Sequence, residues 1–266
     1  MRPLSALVTA AVVVTMTATS VLTLAPTASA STGGYAALGD SYSSGVGAGD
    51  TSGDCVQSPD AYGPLWDSAN SPSSFDFAAC SGATTSDVIN SQVPTLSSSD
   101  TLVSLTAGGD DIGFSSTMET CILDGTSSCV SAVDSDEATA KSILPGNLDA
   151  TIQAIQAAAP NAHIVMLDYP DFYDLSESSG CVGLSTTSRT AIDNGINLLD
   201  SLIQQAASNY SNVTFADVRS EFSGHEICDS NAWLHSTNLL DIDESYHPTA
   251  AGQQDGYLPA LNAAIG

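Results

Sequence analysis

The chain has 266 residues, with 30 Asp plus Glu against four Lys plus Arg, for a formal charge of −26. A surface this acidic repels nucleic acid and anionic membranes, so neither is expected as a partner. The hydrophobic share of 42% supports a packed core and argues against intrinsic disorder, the usual reading of extreme charge.

Met1-Arg2-Pro3 opens the chain with one positive side chain, and a largely apolar run follows to about Pro26. Thr27-Ala28-Ser29-Ala30 then places small residues at Ala28 and Ala30. A basic start, an apolar centre and an Ala-x-Ala end describe a secretory signal peptide. The rival reading is a transmembrane anchor, which Thr15, Thr17, Thr19 and Ser20 weaken by interrupting the run. Residues 1–30 are therefore expected to be a signal peptide, and residues 31–266 a single exported, extracellular domain. No later apolar stretch is long enough to span a membrane, so no stable insertion is expected. The fixed cations left in 31–266 are Lys141, Arg189 and Arg219.

In chain order, Tyr35-Ala36-Ala37-Leu38 reads as a buried strand that feeds the turn Gly39-Asp40-Ser41. Ser43 to Asp60, rich in Gly, Ser and Asp, reads as a long loop. Phe75-Asp76-Phe77-Ala78 is a second strand, and Thr101 to Thr106 a third that breaks at Gly108-Gly109. Ser115 to Glu137 is polar and reads as another long loop at the rim. Leu144, Leu148, Ile152 and Ile155 repeat at helical spacing over Ile143 to Ala159, ahead of Pro160. His163-Ile164-Val165-Met166-Leu167 is the clearest strand. Ile192, Ile196, Leu199 and Ile203 mark a helix over Thr186 to Ser208, Val213 to Ala216 a last strand, and Pro248 to Ala264 a closing helix. Apolar runs without alternation point to parallel strands covered on both faces. Strands alternating with helices give a three-layer α/β/α sandwich around a parallel sheet.

Cys55, Cys80, Cys121, Cys129, Cys181 and Cys228 make an even count in an exported chain, which reads as three disulfides. Pairing neighbours (Cys55–Cys80, Cys121–Cys129, Cys181–Cys228) closes the shortest loops. A metal site is the weaker alternative, because no Cys-x-x-Cys or tight Cys/His cluster occurs. No metal or other cofactor is expected.

Gly39-Asp40-Ser41-Tyr42-Ser43 follows the first strand, where clefts form in open α/β sheets. Alone, such a tripeptide is an ordinary turn. Three further segments give it weight: Cys80-Ser81-Gly82-Ala83, Gly108-Gly109-Asp110-Asp111-Ile112-Gly113, and Ser245-Tyr246-His247-Pro248. Each lies at a predicted strand end or helix start. In a parallel sheet they converge on one edge, so that a nucleophile, oxyanion donors and a base share a cleft.

These segments resemble blocks I, II, III and V of the SGNH (GDSL-type) hydrolases, with closest similarity to secreted bacterial lipases and esterases. Gly224-His225-Glu226 and Trp233-Leu234-His235 extend the resemblance over most of residues 31–266. It implies a flavodoxin-like SGNH fold and ester hydrolysis and supports the neighbour pairing of cysteines; a monomer acting on lipid-like or small acyl esters is expected. It also implies Ser41 as nucleophile, His247 as general base, and the N–H groups of Ser41 and Gly82 as oxyanion donors. The family's block III reads Gly-x-Asn-Asp, and this chain has Asp110 where that Asn donates. An ionised carboxylate only accepts hydrogen bonds. Asp110 therefore acts protonated, or two backbone donors work alone, or catalysis is lost and the scaffold serves as a binding protein. A carbohydrate acetyl esterase is the alternative within enzymes. The group orienting His247 is expected to be the Ser245 carbonyl, with Glu244 the second choice.

His163 reads as a strand-end residue, and His225 and His235 as supports for the loop around Cys228. Asp40, Asp110–Asp111 and Asp241–Asp243 bring calcium to mind, yet they fit no EF-hand pattern and read as acidic surface. Paired carboxylates of a glycosidase are conceivable, but no spacing singles out a pair.

Overall fold

A computed structural model describes residues 33–176, 181, 183–238 and 242–266. The expected signal peptide and Asp241 lie outside the described residues. Five strands form one parallel sheet: β1 (Gly34–Gly39), β2 (Phe75–Phe77), β3 (Asp100–Thr106), β4 (His163–Leu167) and β5 (Val213–Ala216). Their order is β2-β1-β3-β4-β5. β1 is buried along its whole length. Because successive side chains point to opposite faces, both faces of the sheet are covered. Among the described residues the helices are α1 (Ser41–Ser44), α2 (Tyr62–Asn70), α3 (Thr85–Asp87), α4 (Phe114–Leu123), α5 (Thr126–Ala158), α6 (Thr186–Ser208), α7 (Arg219–Phe222) and α8 (Leu258–Ile265). α5 packs on α6, and α2 packs on α8. This is the expected three-layer α/β/α sandwich.

The strand order places the site. From β1 the chain crosses to β2 on one side, and from β3 it crosses to β4 on the other. The connections diverge between the C-terminal ends of β1 and β3, and ligands bind in the crevice that opens there.

Most expected elements stand where the periodicity puts them. β4, β5 and α6 match to the residue, and the closing helix consists of a π-helical stretch, Gly252–Tyr257, running into α8. One reading needs correction. Ser115 to Glu137 is not a loop, since it forms nearly all of α4 and the start of α5. Its Ser, Thr and Asp content lowers helix propensity. Met118, Cys121, Cys129 and Val133, however, turn a buried face to the core, and that packing outweighs propensity. Helix α5 also runs through Pro145, a residue normally read as a helix breaker. Helix α2 stands in a segment where the apolar pattern marks no element. The three disulfides join Cys55–Cys80, Cys121–Cys129 and Cys181–Cys228, as expected.

Candidate active site

The chain leaves β1 through a turn that only glycine can make. Gly39 has φ +118°, and a Cβ there would lie 2.4 Å from the Thr106 carbonyl oxygen and 2.5 Å from Ser43 Oγ. Gln92 holds this turn from the side, accepting from Gly39 N–H (2.7 Å) and donating to Gly39 O (2.8 Å). Asp40 caps α1, its Oδ1 accepting from Tyr42 N–H at 2.9 Å. Its Oδ2 accepts from the Tyr169 hydroxyl at 2.5 Å. Asp40 is 1% exposed, so it belongs to the buried scaffold of the turn and not to the acidic surface. Burial, and then the charge of Asp110, pushes its carboxyl well above the usual range. Ser41 is the first residue of α1.

His247 arrives from the other end of the chain, and its Nε2 lies 2.8 Å from Ser41 Oγ. Its loop is held from three sides. His235 N–H donates to His247 O (3.0 Å), and Tyr246 N–H donates to His235 O (2.9 Å). The His235 ring bonds Gly47 O at 2.8 Å. The hydroxyl of Tyr42, the residue after Ser41, donates to Tyr246 O at 2.8 Å. Gln253 ties the same turn to α2, donating to Tyr42 O (2.9 Å) and accepting from Tyr62 N–H (3.0 Å). Glu244 meets His247 through its main chain, its carbonyl accepting from His247 N–H at 3.1 Å. Ser245 Oγ accepts from Asn238 N–H at 2.8 Å and so braces the loop.

Gly82 has φ +78° and lines the same cleft as Ser41. Among the described residues neither the Ser41 nor the Gly82 N–H has a hydrogen-bond acceptor. Cys80 N–H donates to Gly39 O at 3.0 Å and locks the two segments together. Asp110 and Asp111 take different parts. Asp111 accepts from Thr85 N–H (2.8 Å), Thr85 Oγ1 (2.5 Å) and Asn147 Nδ2 (3.0 Å), tying α3 and α5 beneath the cleft. Asp110 lines the cleft. Burial, followed by the charges of Asp111 and Asp87, pushes its carboxyl up to about 6.

Ser41, Gly82, Asp110, Ser245 and His247 line one cleft of about 670 Å³. Its remaining walls are largely apolar, with Val46, Phe114, Met118, Ile122, Leu123 and Ile242 among them. Tyr42, Gln92, Tyr169 and Gln253 were not foreseen. They act over sequence separations from 53 to 211 residues, where periodicity and local motifs carry no signal. The other histidines behave as structural groups. His163 bonds Thr214 Oγ1 at 2.8 Å at the far edge of the sheet, and His225 stacks on Trp233 with ring centroids 3.6 Å apart. Among the described residues no group of three or more His, Cys, Asp or Glu could hold a metal ion, and no helix is long and apolar enough to cross a membrane.

The profile of the GDSL-like lipase/acylhydrolase family matches residues 37–254. The chain belongs to this family. The hydrolase is 54% identical to Lipase 1 of Streptomyces coelicolor over 234 residues, which is 87% of this chain and 86% of that one. Its structure is similar to that of a phospholipase A1 from Streptomyces albidoflavus, with TM-score 0.85 and 51% identity, covering 88% of this chain and 99% of that one. An extracellular lipase from Streptomyces rimosus matches with TM-score 0.83 and 44% identity over 87% and 99% of the two chains. The GDSL hydrolase described here is accordingly a serine ester hydrolase.

Proposed function

We propose that the protein is an exported, monomeric lipase that cleaves lipid acyl esters through an acyl-enzyme on Ser41. The observation that carries this reading is the 2.8 Å contact between Ser41 Oγ and His247 Nε2 at the mouth of an apolar cleft. His247 takes the Ser41 proton as Oγ bonds to the ester carbonyl carbon, and the carbonyl oxygen becomes an oxyanion. His247 then returns the proton to the departing alcohol as the carbon–oxygen bond breaks. Water, deprotonated by the same imidazole, then attacks the acyl carbon; the carbon–Oγ bond breaks, Ser41 takes the proton back from His247, and the fatty acid leaves.

The Ser41 and Gly82 N–H groups are the oxyanion donors, each worth about 3–4 kcal/mol in the transition state. Asp110 is the third group. Protonated, it donates to the oxyanion; ionised, it repels the same charge. Its raised pKa, caused first by burial, keeps the donating form populated into mildly acidic solution. Ser245 lines the cleft with His247, and its carbonyl, ahead of Glu244, is the group assigned to orient the imidazole.

The apolar walls of the cleft favour acyl chains over sugars, and the paired Ser41 and His247 favour an active enzyme over a binding scaffold. The relatives named phospholipase A1 and lipase support a lipid substrate. The charge of −26 favours neutral or zwitterionic lipid over anionic lipid. Three disulfides and the relative named as extracellular support export. Hydrolysis of p-nitrophenyl butyrate beside a Ser41→Ala control tests the reading: activity that survives in Ser41→Ala removes the assigned nucleophile.

A further inference from the structure

We infer that α4 is the acyl-chain subsite and that its length sets the chain-length preference of the enzyme. The inference rests on the ester-hydrolase reading and deepens it.

The leaving oxygen must reach His247 Nε2 to be protonated. The alcohol half of the ester therefore lies on the side of His247. The wall that starts beside Asp110 is left for the acyl half, and that wall is α4. Phe114, Met118 and Ile122 line the cleft from this helix. Spaced four residues apart, they form one continuous stripe.

The wall is fixed at both ends. Phe114 packs edge-on against Phe172, with centroids 5.6 Å apart, and Cys121–Cys129 ties the last turn to α5. From Phe114 to Leu123 the helix spans roughly 13 Å. An extended alkyl chain advances roughly 1.25 Å per bond, from ordinary single-bond lengths and angles. The wall therefore covers an acyl chain of about ten carbons. Leu123, at the far end, is 66% exposed, so a longer chain passes into solvent without further gain. Glu119 also lines the cleft, from the exposed flank of the stripe, where its charge limits how well the chain is covered.

Burying a methylene fully is worth about a fourfold rate gain. A wall open on one side gives about half of that free energy, or about twofold per methylene. The test measures kcat/KM for p-nitrophenyl esters from acetate to palmitate, below the concentrations at which they aggregate. It also measures acetate esters of alcohols of increasing length.

In the wild type kcat/KM should rise about twofold per methylene and level off near ten carbons. Ile122→Trp, which fills the groove, should lower the octanoate-to-butyrate ratio at least tenfold. Glu119→Leu should raise it severalfold, and as an exposed substitution it keeps the test open if the Trp variant fails to fold. Neither should shift the ratio within the alcohol series. A ratio that ignores both substitutions, or moves only in the alcohol series, overturns the assignment while leaving the hydrolase reading intact. A protein that hydrolyses no acyl ester overturns both.

Discussion

Under the proposed role of Asp110 in the oxyanion hole, replacing it by Asn turns a titratable donor into a permanent one. The carboxyl is pushed up to about 6, so about nine-tenths of it is protonated at pH 5 and about one-hundredth at pH 8. A missing oxyanion donor costs about 10²–10³ in turnover. At pH 8 almost every wild-type molecule lacks the donor and carries a repelling charge besides, so Asp110→Asn should raise kcat about a hundredfold. At pH 5 the two proteins should agree within about twofold. His247 must be neutral in both, so its own titration largely cancels when the variant-to-wild-type ratio is taken at each pH. The assay is kcat on p-nitrophenyl butyrate from pH 5 to 9, with the ratio plotted against pH. A ratio that rises through about pH 6 is the expected result. A flat ratio, whether at unity or at a constant gain, refutes the claim that the protonation of Asp110 controls the oxyanion hole.

Three further outcomes follow from the same structure. Burial, as the largest cause, pushes Asp168 and Asp193 up to about 8 and raises Asp200 as well. A carboxyl with a raised folded pKa stabilises the fold fully below the unfolded range near pH 4, and loses that contribution as pH climbs through about 8. Tm should therefore fall between pH 5 and pH 9 in a calorimetric series, and a rising Tm would contradict the burial argument. Tyr42→Phe removes the donor to Tyr246 O and leaves a buried carbonyl unpaired, at a cost of about 1–3 kcal/mol. Loosening the His247 loop should lower kcat more than it raises KM in steady-state assays; an unchanged kcat would show that the bond does not position the base. Replacing Cys121 and Cys129 together by Ser opens a link between residues eight apart, worth about 2.5 kcal/mol. Thermal unfolding should drop by roughly 5–10 °C, and an unchanged Tm would mean that α4 holds its place without the link.

How much of this was legible in the sequence depended on range. β4 and β5 were readable because a buried parallel strand is a short unbroken apolar run, and α6 because Ile192, Ile196, Leu199 and Ile203 keep one face. The segment Ser115 to Glu137 was misread because its helical face is set by a few residues, Met118, Cys121, Cys129 and Val133, scattered among Ser and Asp. Ser41, Gly82, Asp110 and His247 were singled out by the likeness of their segments to the family's blocks, and the structure brings all four to one cleft because the parallel sheet gathers such strand and helix ends on one edge. Their supports were not. Tyr169 joins Asp40 to Gly109 N–H at 3.1 Å, and Gln253 joins the Ser41 turn to α2; neither pairing leaves a local pattern. Asp40 looked like surface acid in the sequence because nothing local announces the Tyr169 hydroxyl that meets it.

The central claim, that Ser41 activated by His247 is the nucleophile, is tested most directly by covalent labelling. The wild type, Ser41→Ala and His247→Ala are treated with a fluorophosphonate, and the modified peptide is identified by mass spectrometry. The account predicts one adduct on Ser41 in the wild type, none in Ser41→Ala, and labelling slowed at least a hundredfold in His247→Ala. A folded wild-type protein that stays unlabelled, or one labelled at another residue, would contradict it.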